Sequence, residues 1–118
     1  MSNSTGRETL EALVEEYRQA HPEFQAPENS DHPIVLALTK DMNPCLVERC
    51  GNIVVFWDLL LDAAMEYFDP AEETLEFKYF RARLMTGSGL AAGTDHEEAF
   101  GAIWERYRTW IAASELGG

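Results

Sequence analysis

Residues 53–69, which read IVVFWDLLLDAAMEYFD, form the most apolar stretch of this 118-residue chain. Its apolar residues recur at the three- and four-residue spacing of an α-helix, which predicts a central helix over residues 53–68. The expected core stripe is Ile53, Trp57, Leu60, Leu61, Ala64, Met65 and Phe68. Because most sides of this helix are apolar, we expect the rest of the fold to pack around it.

The same stretch carries four carboxylates that share one narrow face of the predicted helix. They follow one another at intervals of four, four and three residues, the spacing at which helical side chains lie one above another. They are Asp58, Asp62, Glu66 and Asp69, called the acidic ladder below. No lysine or arginine lies three or four positions from any of them, and like charges four residues apart cost roughly 0.2–0.5 kcal/mol per pair. Local pairing therefore does not explain the ladder.

Composition and charge narrow the class of protein. A hydrophobic content of 46% supports a packed core, and a formal charge of −12 disfavours direct binding to nucleic acid or to anionic lipid. The longest uninterrupted apolar run, residues 53–57, is too short to span a membrane. With two cysteines and a polar N-terminus without the pattern of a secretory signal, we expect a soluble, cytoplasmic protein.

Helical spacing outside the central helix predicts four or five further helices. Thr5-x-x-Glu8 has the form of a capping box, and the helix that it starts ends at His21-Pro22. The apolar run 34–38 fits either a short helix that begins at Pro33 or a buried strand. We favour the helix, with a strand pair near 34–39 as the alternative.

The second half of the chain has its own helix boundaries. Asp69-Pro70-x-Glu72 is typical of a helix start, although the alternation of Leu75, Phe77 and Tyr79 leaves a strand open. Residues 86–94 are rich in glycine and predict a connector, after which Thr94-x-x-Glu97 starts the last helix. The predicted fold is an all-α, compact single-domain bundle of five or six helices, with irregular connectors at 21–33 and 86–94.

No motif in the sequence indicates catalysis or a cofactor. Cys45 and Cys50 are separated by four residues and have no second ligand pair nearby, which disfavours a zinc site and favours small buried cysteines. The histidines at 21, 32 and 96 are scattered and are expected at the surface. We therefore predict no cofactor, no metal site and no enzymatic activity.

The acidic ladder carries the leading functional hypothesis. Four helical residues rise about 6 Å, a separation comparable to that of successive phosphates along a nucleic-acid strand. A row of carboxylates at this pitch can occupy the lysines and arginines of a nucleic-acid-handling protein and inhibit it. Anti-CRISPR, anti-restriction and nuclease-immunity proteins work in this way, and the analogy is based on size, charge and the lack of a catalytic motif. The predicted partner-binding residues are Asp58, Asp62, Glu66, Asp69, Glu73 and Glu76.

Two alternatives remain open from the sequence. The chain can be a structural or regulatory subunit that binds a partner, or forms a homodimer, through the aromatic face of Trp104, Tyr107 and Trp110. Least favoured is a small hydrolase whose site assembles from distant carboxylates and histidines.

Overall fold

Six helices make up the fold within residues 5–26 and 32–117, the part of the chain that this computed structural model describes. They are α1 (Thr5–Ala20), α2 (Pro33–Ala37), α3 (Asn43–Cys50), α4 (Ile53–Tyr67), α5 (Leu75–Ala91) and α6 (Glu97–Gly117). The described residues contain no strand, so the all-α prediction is confirmed and the strand alternatives at 34–39 and 75–79 are wrong. The side chain of the predicted cap Thr5 and five residues of the predicted 21–33 connector, residues 27–31, lie outside the described residues.

The central helix α4 begins where the sequence predicts it. Gly51, with a φ of 100°, turns the chain after α3, and the Oδ1 atom of Asn52 accepts a hydrogen bond from the backbone N–H of Val55 at 2.9 Å. The helix buries its apolar stripe against α1, α2, α3 and α6. Its buried residues are Phe56, Trp57, Leu60, Leu61, Ala63 and Ala64.

The predicted helix start at Asp69-Pro70 is wrong. The side chain of Asp69 instead accepts a hydrogen bond from the N–H of Ala71 at 3.0 Å, and its carbonyl accepts one from the N–H of Glu72 at 2.8 Å. These two bonds close a turn. Helix α5 starts later, at the residue after Thr74, whose hydroxyl caps the N–H of Phe77 at 3.1 Å.

The predicted connector at 86–94 is wrong over its first six residues, because α5 continues to Ala91. Gly87 explains why a glycine stands inside this helix. A Cβ atom at that position would lie 3.2 Å from Cζ of Phe100 and 3.3 Å from Nε1 of Trp57. Gly87 thus permits close packing of aromatic rings from α4 and α6 against α5. Only Gly93, with a φ of 80°, serves the chain reversal before α6.

One hydrophobic cluster draws on all six helices. Its fully buried members include Leu10 of α1, Ile34 of α2, Leu60 of α4 and Phe80 of α5. The radius of gyration, 14.2 Å, is close to the value of about 13.5 Å expected for a compact chain of this length. Within the described ranges, no helix is both long enough and apolar enough to cross a membrane.

Candidate functional site

The acidic ladder lies on the solvent-facing side of α4 and of the turn after it. The side chains of Asp58 and Asp62 are 58% and 51% exposed. Glu66 and Asp69 are exposed as well, with Asp69 in the turn that follows the helix. The structure therefore places all four carboxylates at the surface, but the prediction that they share one face of the helix is wrong for Asp69, because α4 ends at Tyr67 and the backbone of Phe68 is extended.

An arginine from α6 bridges two members of the ladder. In the guanidinium of Arg106, Nη1 donates to Oδ1 of Asp58, and Nη2 donates to Oδ1 of Asp62 at 2.6 Å. The side chain of Arg106 remains 40% exposed. The ladder has no cation in its own helix, but the fold brings the guanidinium of Arg106 to Asp58 and Asp62.

Sequence reasoning missed Arg106, although one signal was present. No acidic residue lies three or four positions from Arg106, so a local partner within α6 is excluded. A basic residue without a local partner is a candidate for pairing across the fold. The sequence does not indicate which acidic residue it meets, because Asp62 lies 44 positions away.

Helix α1 lies directly against the ladder at Asp62. A Cβ atom at Gly6 would lie 2.4 Å from Cβ of Asp62, so the two backbones approach more closely than any other residue at position 6 allows. Asp62 is therefore in contact with α1 through Gly6 and with α6 through Arg106. Neither contact is visible in the spacing of the carboxylates.

A carboxylate of α1, that of Glu11, contacts the C-terminal end of α4. The hydroxyl of Tyr67 donates to Oε2 of Glu11, and the guanidinium carbon of Arg7 lies 5.5 Å from the centre of the Tyr67 ring. Burial, followed by the hydrogen bond to Glu11 and its charge, raises the pKa of Tyr67 to about 12. Glu11 thus lies beside the residue that follows Glu66.

Two of the predicted partner-binding residues belong to a different element. Glu73 precedes α5 and forms an ion pair with Arg81 at 3.4 Å. Glu76 lies half-buried in the first turn of α5. Since Glu73 and Glu76, like Asp69, are not on α4, the predicted helical spacing holds only for Asp58, Asp62 and Glu66.

His32 occupies a structural position rather than the free surface position that was predicted. Its Nδ1 atom accepts a hydrogen bond from the N–H of Ile34 at 3.3 Å and so caps α2. Its ring lies 4.5 Å from the ring of Tyr67 and stacks on Phe68 at 5.0 Å. Burial lowers the pKa of His32, and the charge of Glu76 opposes this shift.

The cysteines differ from each other in exposure. Cys50 is half-buried, and burial raises the pKa of its thiol, whereas Cys45 is exposed, so the prediction of a buried cysteine is wrong there. Cys45 lines a shallow pocket between α1 and α3 together with Tyr17 and His21. In the described part of the chain, no group of three histidine, cysteine or acidic residues is placed to hold a metal ion.

The aromatic face of α6 packs mainly within the molecule. Tyr107 is 6% exposed, and Trp104 stacks on it with ring centres 5.3 Å apart. Trp110 meets Phe77 of α5 edge to face at 5.8 Å. Tyr107 is thus almost fully buried, whereas Trp104 and Trp110 are half-buried, and a homodimer through this face stays a prediction.

Two carboxylates of the ladder, Asp58 and Asp62, thus bind one guanidinium group. Comparisons with the models of known protein families, with curated proteins and with solved structures found no match. The chemistry of the surface is therefore the basis for assigning a function.

Proposed function

We propose that this protein is a non-enzymatic inhibitor that uses the acidic ladder to block a basic, nucleic-acid-handling site on a protein partner. The partner's lysines and arginines would bind the ladder in place of phosphates. Such a partner is expected in the cytoplasm, and the inhibitor would act there as a nucleic-acid mimic. The formal charge of −12 favours this encounter, because long-range attraction steers an acidic protein toward a basic surface.

The observation that carries the proposal is the bridging of two carboxylates by one guanidinium. Arg106 binds Asp58 and Asp62 through separate nitrogens, with 2.6 Å between Nη2 and the Asp62 oxygen. A pair of carboxylates one helical turn apart therefore has the right separation to bind an arginine. Asp62 and Glu66 repeat the same spacing along α4.

Arg106 is also an internal competitor for the partner. A partner arginine can approach Asp58 and Asp62 by sharing them with Arg106 or by displacing it. Exposed ion pairs contribute only about 0–1 kcal/mol, and all three of these side chains are at least 40% exposed. The free energy needed to displace Arg106 is therefore small compared with the binding free energy of a protein interface.

Affinity capture followed by competition with nucleic acid tests the proposal. The full chain, immobilised, would be exposed to a lysate of its source cells, and captured proteins would be challenged with duplex and single-stranded nucleic acid. We expect a basic protein that is released by nucleic acid, since both ligands would occupy one site. Its binding should also weaken steeply with added salt.

Matched charge reversals locate the binding surface. Glu66→Lys with Asp69→Lys should abolish capture, whereas Glu97→Lys with Glu98→Lys, the same change in charge on exposed residues of α6, should retain most of it. Arg106→Gln should tighten binding by about two- to fivefold, because it removes the internal competitor. Capture that survives the reversal on the ladder, or a partner that holds nucleic acid and this chain together, would refute the proposal.

A further inference from the structure

Helix α5 has a second apolar face that the rest of the fold leaves uncovered. Leu75 is 80% exposed and Leu90 is 75% exposed, while Tyr79 between them is 40% exposed. With Ala82 and Thr86, which are also exposed, these residues follow at intervals of four, three, four and four, the spacing of a seam that packs against another helix. We call these five residues the outer face of α5.

The opposite side of α5 already forms part of the core. Phe77, Phe80 and Leu84 are at most 1% exposed and face the other helices. The outer face is therefore not needed for folding. Large apolar side chains at this degree of exposure, aligned on one side of a helix, are typical of a protein-binding surface.

The charges beside the outer face identify the chemistry of its partner. Lys78 lies on one flank of the stripe and Arg83 on the other, by their positions in the helical repeat. Within the described part of the chain neither residue belongs to an ion pair. Glu76, half-buried in the first turn of α5, is on the same flank as Arg83 by its position in the helical repeat, and no further acidic residue occurs between positions 77 and 94. The outer face is thus an apolar stripe with a basic group on each side and one carboxylate near its N-terminal end.

Charge also separates this partner from a second copy of the chain. Two α5 helices that pair antiparallel, with Leu75 of each opposite Leu90 of the other, have their twofold axis between residues 82 and 83. Arg83 would then face its own symmetry mate across the axis. A partner that is acidic on both flanks instead places a carboxylate opposite Arg83.

We infer that the outer face of α5 docks an amphipathic helix of another protein whose apolar stripe is flanked by acidic residues. Leu75 and Leu90 are 15 residues apart, which corresponds to about 22 Å along the helix, so the docked helix has about four turns. Ala82 and Thr86 in the middle of the stripe are small enough to allow close approach of the two helices. This surface is separate from the acidic ladder and takes a partner of the opposite charge.

Two synthetic helical peptides test the inference against the full-length chain. Both would have leucines at intervals of four, three, four and four; one would have glutamates on both flanks of the stripe and the other lysines. Fluorescence anisotropy would measure their binding. We expect the glutamate peptide to lose at least about tenfold in affinity with Leu75→Ser and Leu90→Ser, and at least about fivefold with Lys78→Gln and Arg83→Gln.

Control variants separate this site from the ladder and from general charge effects. Arg108→Gln, which removes an exposed basic residue of α6, should leave binding of the glutamate peptide unchanged. Glu66→Lys with Asp69→Lys should not weaken it, so failure here is distinguishable from failure of the proposed inhibitor function. The inference is overturned if the glutamate peptide does not bind, or if the lysine peptide depends equally on Leu75 and Leu90. It is also overturned if the chain sediments as a dimer that Leu90→Ser dissociates, or if the face binds phosphatidylserine vesicles instead.

Discussion

The outward-facing sides of α4 and α5 differ in how far other helices contact them. On α4, the acidic ladder meets Gly6 of α1 and Arg106 of α6, so its charge is partly neutralised within the molecule. On α5, the outer face keeps two leucines at 75% exposure or more. An unusual sequence pattern on a helix is therefore not enough to identify a binding surface, because distant residues decide whether it stays accessible.

Truncating one leucine on each side of α5 tests whether the outer face is exposed while the opposite face is part of the core. Leu84→Ala, at a position with no exposure, should lower the free energy of unfolding by about 3 kcal/mol, because the change leaves a cavity in the core. Leu90→Ala should change it by less than about 0.5 kcal/mol. Urea unfolding followed by circular dichroism measures both values. A cost above about 1 kcal/mol for Leu90→Ala would show that the outer face is buried in solution.

Gly6 tests how closely α1 covers the ladder. Gly6→Ala should destabilise the protein by about 2 kcal/mol, because a Cβ atom 2.4 Å from Cβ of Asp62 forces the helices apart. Gly101→Ala is the matched control in α6, since a Cβ atom there meets nothing within 4 Å. It should stabilise the protein by roughly 0.5–1 kcal/mol through helix propensity. Thermal and urea unfolding of both variants should therefore shift in opposite directions, and equal shifts would contradict the close contact at Asp62.

Features of the structure that depend on neighbouring residues could be predicted from the sequence, whereas those that depend on contacts between distant residues could not. The all-α fold, the start of α4 at Asn52 and the break at Gly51 follow from spacing and capping rules within a few residues. The continuation of α5 through Gly87 does not, because the rings of Trp57 and Phe100 that pack closely against that glycine are distant in sequence. The exposure of the ladder was predicted, whereas its pairing with Arg106 depends on how α6 packs against α4.

His32 contacts the end of α4 through Tyr67 and Phe68, and the charge of Glu76 at the start of α5 acts on it. Its titration makes the stability of the protein depend on pH. Because its pKa is lowered in the folded state, the native protein favours the neutral ring that caps α2. This stabilisation is complete above the unfolded pKa of 6.5 and is lost as the pH falls toward the folded value. Between about pH 7.5 and pH 5, the wild type should lose more stability than His32→Asn, which retains a capping side chain without titrating.

Urea unfolding at several pH values measures this difference. His96→Asn is the control, because His96 lies near the start of α6 and forms no ring contact with Tyr67 or Phe68. It should retain the pH dependence of the wild type. Equal pH dependence in His32→Asn and the wild type would contradict the role of His32 as a neutral cap.

The smallest expected effect is that of replacing Arg106. Its size tests whether an arginine of a partner protein can take the place of Arg106 on the ladder. Arg106→Gln should lower the free energy of unfolding by about 0.5 kcal/mol at low salt, since it restores the repulsion between Asp58 and Asp62 and removes two exposed ion pairs. The difference should vanish at about 1 M NaCl, where the screening length is about 3 Å. Arg108→Gln, which breaks a looser pair with Glu105 at 3.5 Å, should have almost no effect. A loss above about 2 kcal/mol would mean that Arg106 locks α6 to α4, and a partner's arginine could not then replace it without unfolding part of the protein.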